Sequence, residues 1–332
     1  MELPGVKRLR VGLVSWAHVH AAGLARTLTA LEQVEFVGSF DDGAATADGP
    51  THPTLEALLG AADAVVIAST NAAHHRYTLA AAAAGVHVLC EKPLATTIDD
   101  AREMIAACRA HGVQLGVALP VRGSPAVIAL RDAIARGALG RVRAIRATNP
   151  GQYPGRWFGD AALAGGGAVM DHTVHVVDAI RWLLGDEVVR VHAELGSFLH
   201  GLPVEDCGLL TLDLRGGAFA TVDCSWSRPA TYPTWGGVTL HVVGERATVD
   251  VDVFRQSLTH YDDGARAVKL VGWGDDLNAA MVGGFVDAIL ADRPVPITGE
   301  DGLRALEVAV AAYRSAELGR PVEIAERWSG AR

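Results

Sequence analysis

Gly85-Val86-His87-Val88-Leu89-Cys90-Glu91-Lys92-Pro93 is an apolar run that ends on an acid, a lysine and a proline. Val86 to Cys90 reads as a short buried strand. A residue at the carboxyl end of such a strand points into the crevice where open α/β sheets bind their ligands. The residue placed there is one of only three lysines in the chain, with Lys7 and Lys92 joined by Lys269. Its compact ammonium suits holding a substrate oxygen or tuning a proton, where an arginine would offer a broad planar fork. The plainer alternative is a solvated lysine at a strand–loop junction, and the surrounding pattern decides between the two.

On either side of this strand, short apolar runs alternate with alanine-rich helical stretches. Strands are expected at Arg10–Ser15, Val34–Phe40, Ala64–Ala68 and Val113–Leu119. Helices are expected at Ala17–Leu31, Thr54–Leu59, Ala73–Ala84 and Ile98–Ala110. Strands that are apolar throughout, separated by amphipathic helices, indicate a parallel sheet covered on both faces. The N-terminal fold class is therefore α/β, a doubly wound Rossmann sheet.

The character changes after Pro120. A helix from Pro125 to Arg136 leads into a strand at Val142–Thr148, and Val188 to Tyr261 carries repeated strand-like segments with turn signals. Strands in succession without intervening helices mark a large, open, mainly antiparallel sheet. Helices at Leu277–Leu290 and Asp301–Leu318 close the chain. The expected division is residues 1–120 as a dinucleotide-binding domain and 121–332 as an α+β domain for substrate binding and oligomerisation.

The first strand-to-helix turn should carry G-x-G-x-x-G, followed about 20 residues later by an acid. Here Ser15, Ala17 and His20 stand at the three glycine positions, with Trp16, His18 and Val19 between them. The first two are small enough for a backbone to approach a pyrophosphate. The second strand ends Ser39-Phe40-Asp41-Asp42-Gly43, which places an acid at the ribose. Two acids with no arginine or lysine beside them in sequence favour NAD over NADP. His18 and His20 are open to three readings: phosphate contact at a helix start, lining of the nicotinamide crevice, or metal ligation. Metal ranks last, because no third ligand follows at matching spacing.

A second constellation is Gly165-Gly166-Gly167 followed by Ala168-Val169-Met170-Asp171-His172-Thr173-Val174-His175-Val176-Val177-Asp178. Three glycines before an apolar run read as a loop opening a helix. At about 100° per residue, Asp171, His175 and Asp178 fall on one face and His172 points away from them. A carboxylate and an imidazole stacked in this way suit proton transfer, with Asp178 as a structural neighbour. Satisfied polar residues on a helix face are the alternative, as is a metal held by Asp171, His172 and His175.

Composition narrows the remaining classes. A net charge of −9 offers no basic footprint for nucleic acid. No apolar run approaches the roughly 18–20 residues of a membrane span, and no signal-peptide core precedes the first strand. Cys90, Cys108, Cys207 and Cys224 form no C-x-x-C pair and read as reduced thiols of a cytoplasmic protein.

Together these residues resemble the Gfo/Idh/MocA family of NAD(P)-dependent sugar and cyclitol oxidoreductases. The resemblance runs from Ala64-Val65-Val66-Ile67-Ala68 through Asn71 with His74, the Glu91-Lys92-Pro93 segment and Arg122. It continues through Gly165-Gly166-Gly167 with Asp171, His175 and Asp178, then Arg181 to Gly185 and Thr298 to Glu307. It implies that Lys92 lies beside the nicotinamide and substrate hydroxyl, that Asp171 binds substrate and that His175 is the general acid/base. It also implies cofactor contacts from Ser15, Trp16, Ala17, His18, Asp41, Ser69, Thr70, Asn71, His74, Glu91, Lys92 and Arg122, with no metal. Two departures stand out: the phosphate loop lacks its glycines, and Thr70 replaces the family's usual proline.

The expected activity is NAD-dependent hydride transfer on a sugar, cyclitol or polyol by a homodimer or homotetramer. Its rivals are an NAD-using glycoside hydrolase or eliminase of the same fold, and a non-catalytic dinucleotide sensor. Loops at 149–160 and 229–237, with Trp157 and Trp235, are where substrate choice is expected.

Overall fold

A computed structural model describes residues 7–43, 49–264, 266–272 and 274–324. In chain order its first elements are β1 (Leu9–Val14), α1 (Ala21–Ala30), β2 (Val34–Phe40), α2 (Leu55–Ala61) and β3 (Ala64–Ile67). Next come α3 (His74–Ala83), β4 (His87–Cys90), α4 (Ile98–Ala110), β5 (Leu115–Val117), α5 (Pro125–Ala135) and β6 (Val142–Pro150). Then follow α6 (Ala161–Ala164), α7 (Ala168–Leu184), β7 (Val188–Gly196), β8 (Cys207–Leu214), β9 (Phe219–Ser225) and β10 (Thr239–Gly244). The last are β11 (Thr248–Asp252), β12 (Ser257–Asp262), β13 (Ala267–Gly272), α8 (Leu277–Leu290), α9 (Gly299–Leu318) and β14 (Val322–Glu323).

The chain forms two compact units, each discontinuous in sequence. The first comprises 1–123, 154–166 and 276–306; the second comprises 124–153, 167–275 and 307–332. Sequence reading placed a single break at residue 120, but two later stretches return to the first unit. The reason is burial: Met281, Val282, Phe285 and Val286 of α8 complete one core with Val11, Leu13, Leu24, Leu28 and Val66.

In the first unit five strands run parallel in the order β2-β1-β3-β4-β5. Val65, Val66, Ile67 and Val88 are wholly buried, as strands covered on both faces require. Thr54 and Thr97 cap α2 and α4 by accepting the amides of Ala57 and Asp100, so these helices start where the sequence signals them. Helix α1 instead starts at Ala21, four residues later than expected. Residues 15–20 form a turn pinned by the Ser15 amide on the Phe40 carbonyl and the His18 amide on the Ala68 carbonyl.

The second unit is built on seven strands in the order β11-β10-β6-β9-β8-β7-β14. β6 and β9 pair in parallel and the other neighbours are antiparallel. Helix α7 packs on β6, β8 and β9 and buries Val169, Val176, Val177 and Ile180. β12 and β13 form a separate hairpin.

Candidate active-site residues

In the first unit the carboxyl ends of β1, β2, β3 and β4 carry the residues expected at the cofactor. Ser15 adopts φ +70°, the left-handed conformation that the fingerprint's first glycine normally supplies. Its hydroxyl offsets the strain: it accepts the Ala17 amide at 3.2 Å and donates to Asp41 Oδ1 at 3.1 Å. The tight turn thus persists without its glycine. Trp16 faces the core and donates to the Ser39 hydroxyl. The other oxygen of Asp41, Oδ2, is buried with no hydrogen-bond partner among the described residues.

Asp42 is not free of cations, as the local sequence suggested. Arg76, projecting from α3, donates to Asp42 Oδ2 at 2.5 Å and lies over the Tyr77 ring. The pair is 34 residues apart in sequence, which hid it.

The turn after β3 keeps the shape that proline would enforce. Thr70 sits at φ −65°, Ser69 donates to its carbonyl, and the Ala73 amide closes the turn on the same oxygen. Asn71 is buried and donates to the Ala164 carbonyl. His74 is wholly buried and its Nδ1 donates to the Pro93 carbonyl at 2.9 Å, so it props the lysine's loop and has no surface to offer a cofactor. Burial pushes His74 down to about 4, which keeps it neutral. Arg122, expected at the cofactor, is held by Asp301 Oδ1 at 2.9 Å and the Pro296 carbonyl.

Glu91 and Lys92 are both buried, at 2% and 3% exposure. Glu91 accepts the Lys92 amide and lies 3.0 Å from His20 Nδ1 and 3.9 Å from His18 Nδ1. Burial would raise the Glu91 carboxyl, yet the imidazoles of His18 and His20 and the Lys92 ammonium hold it well below the ordinary carboxylate range. Glu91 is thus the third group that sequence spacing did not offer the two histidines, and the three ligand atoms lie within 4.8 Å of one another. A cation there would compete with Lys92, and with the His20 amide for the His18 Nδ1 lone pair. Trp157, a candidate sugar platform, instead stacks on Phe158 and donates to the Ala17 carbonyl, bracing the phosphate loop.

In the second unit α7 presents Asp171, His172 and His175 in its first two turns. Gly167 precedes it because a Cβ there would lie 1.8 Å from the Glu205 carbonyl. With no side chain at that cap, the Glu205 carboxylate takes over, accepting the amides of Gly167 and Val169 and the Tyr313 hydroxyl. Burial raises the Glu205 carboxyl despite these donors.

Asp171 is buried, His175 half-buried and Asp178 inaccessible. His172 does not point away from Asp171, as helical geometry suggested. Its Nε2 lies 3.1 Å from Asp171 Oδ2, which also accepts the Trp226 indole N–H at 3.0 Å. Rotation about the helix axis placed the Cα atoms correctly; the imidazole is turned by the Asn149 carbonyl, 2.6 Å from its Nδ1. No spacing signal identified Trp226, Glu205 or Tyr313. The loop at 229–237 is irregular, with Trp235 exposed.

Two family models match this chain. One, an oxidoreductase family with an NAD-binding Rossmann fold, matches residues 17–119; the other, the GFO/IDH/MocA C-terminal domain, matches 127–250. A 1,5-anhydro-D-fructose reductase of Ensifer adhaerens is 33% identical over 289 residues, covering 83% of this chain and 84% of the relative. A myo-inositol 2-dehydrogenase of Thermotoga maritima is 28% identical over 275 residues, covering 80% of each chain. Among solved structures, GenD2 from gentamicin A biosynthesis, in complex with NAD, matches with a TM-score of 0.87 and 29% identity. The match covers 97% of this chain and 98% of that one. On these matches the chain belongs to the Gfo/Idh/MocA family and is an oxidoreductase with an NAD-binding Rossmann fold.

Proposed function

We propose that this oxidoreductase exchanges a hydride with the CH–OH or carbonyl carbon of a sugar, cyclitol or related polyol. One observation carries the reading: Lys92, at the carboxyl end of β4 in an NAD-binding sheet, is 3% exposed. A lysine that merely ended a strand would stand in solvent. The named substrates of the two relatives, an anhydro-sugar and a cyclitol, support the substrate class.

The first unit binds the cofactor and the second binds the substrate and self-associates. Asp41 Oδ2, which has no hydrogen-bond partner among the described residues, is an acceptor suited to the adenosine ribose hydroxyls. Bound NAD supplies the hydride acceptor. Lys92 donates to the substrate oxygen and stabilises the alkoxide-like charge that develops there. His175 takes the hydroxyl proton, and Asp171 accepts a neighbouring hydroxyl and orients the ring. The enzyme works in the cytoplasm as a homodimer or homotetramer on a small-molecule substrate, without nucleic acid or membrane.

The test is the purified protein with NAD and a panel of cyclic polyols and aldoses, followed at the nicotinamide absorbance. Lys92→Ala should lower kcat by orders of magnitude with NAD affinity little changed, since the lysine acts where charge develops. His175→Ala should lose roughly 10²–10⁴-fold. No turnover across the panel, or near-native kcat in both variants, would overturn the reading.

A further inference from the structure

His172 has no role in the chemistry above, yet its position is as fully built as that of any residue in the second unit. It is 6% exposed, and so is Asp171. A carbonyl oxygen can only accept, so the 2.6 Å contact with Asn149 requires a hydrogen on His172 Nδ1. The opposite nitrogen, Nε2, faces Asp171 Oδ2 at 3.1 Å. The ring edge of one residue and the carboxylate of the residue before it thus meet inside this unit. Trp226, 1% exposed, approaches the same oxygen with its indole N–H at 3.0 Å. The half-buried Tyr153 packs on the Trp226 ring at 5.0 Å and steadies it. Space for the imidazole comes from a missing side chain: a Cβ on Gly151 would stand 2.5 Å from His172 Cε1.

We propose that His172 is a positioning residue, which with Trp226 confines the Asp171 carboxylate and so fixes the group that orients the polyol. This rests on the reading that Asp171 binds substrate. The arrangement sets the direction from which a hydroxyl is met. Asp171 contacts substrate alike in the ground and transition states, so loosening it should raise KM more than it lowers kcat.

The experiment compares His172→Phe, His172→Gln, Gly151→Ala and Asp171→Asn by steady-state kinetics on the best substrate of the panel, with NAD affinity measured by calorimetry. His172→Phe removes both ring nitrogens, should loosen Asp171 and should raise the substrate KM by about 10–100-fold, the scale of one hydrogen bond to a charged group. NAD affinity should not move. His172→Gln keeps an N–H donor and should recover most of the loss. If His172→Phe does not fold, Gly151→Ala, which displaces the ring while leaving the histidine in place, should give the same KM shift. Native KM in both His172→Phe and Gly151→Ala, alongside a raised KM in Asp171→Asn, overturns the role of His172 alone. Equal damage from phenylalanine and glutamine also overturns it, because packing and not the polar contact would then be what matters. An unchanged KM in Asp171→Asn removes the reading of Asp171 and this proposal with it.

Discussion

In the proposed cofactor site Asp42 and Arg76 would together set the charge at the adenosine end. The pair is neutral as a unit, and both members are exposed, so its own worth to stability is small. In that site its effect would be on selectivity: Arg76, held by Asp42, would be kept from a 2′-phosphate, leaving Asp41 for the ribose. Asp42→Ala should release Arg76 and narrow the preference for NAD over NADP, as read by calorimetric titration with both oxidised cofactors. Asp41→Ala should weaken NAD itself. Tighter NADP than NAD binding by the native protein would contradict the assignment.

His74 gives a second residue-scale expectation. Its pKa is about 4 in the folded chain against an ordinary 6.5, so the unfolded chain takes up a proton that the folded chain refuses. Stability is therefore full above pH 6.5 and is lost as the pH falls toward 4, by about 2 kcal/mol at pH 5. Urea denaturation at pH 7 and pH 5 measures it, and His74→Gln, which retains a donor for Pro93, should flatten the difference. Residue types are legible where chemistry alone selects them: Lys92, Asp171 and His175 stand out in the sequence by type and position. Arg76, Glu91 as the partner of His20, and His172 on Asp171 do not. Each depends on which strand ends adjoin, or on a rotamer chosen by a distant carbonyl.

At the scale of elements, the helix that carries Asp171 and His175 is fastened at its amino end from two other parts of the second unit. Tyr313 of α9 donates to Glu205 at 2.8 Å and accepts the Met170 amide at 3.2 Å. Tyr313→Phe leaves a buried carboxylate and an amide each short of a partner. The expected loss is about 1–3 kcal/mol, seen as a lower urea midpoint at unchanged m-value. An unchanged midpoint would mean that Glu205 alone secures the helix. Sequence patterns located most elements well, because period and caps are local. β2, α4 and α8 begin and end where the pattern places them. The start of α1 was misjudged because the hydrogen bond that holds residues 15–20 out of the helix ends on Ala68, beyond any local window.

For the whole molecule, the broad sheet raises the question of what covers its second face. Helix α7 lies on one side of β6, β8 and β9, while Leu209 and Phe219 stand 56% and 50% exposed on neighbouring strands. Apolar side chains in the middle of a wide sheet are the residues that a second subunit would bury. Light scattering at micromolar concentration should report a dimer or tetramer, and Leu209→Lys should shift it toward monomer. A native chain that runs as a monomer near 35 kDa would refute the expectation. Among the described residues no helix is long and apolar enough to cross a membrane.

The threading of the chain also governs when the cofactor-binding half can become stable. Its five strands leave the ribosome early, but α8, whose Met281, Val282, Phe285 and Val286 fill the core against Leu24, Leu28 and Val66, follows only after six of the seven strands of the broad sheet have been made. Until then the nascent parallel sheet exposes one apolar flank for about half of the time needed for synthesis, the interval in which aggregation competes with folding. The maturation of this enzyme is thus paced by its final quarter, and a gene cut after the fifth strand encodes an unfinished core.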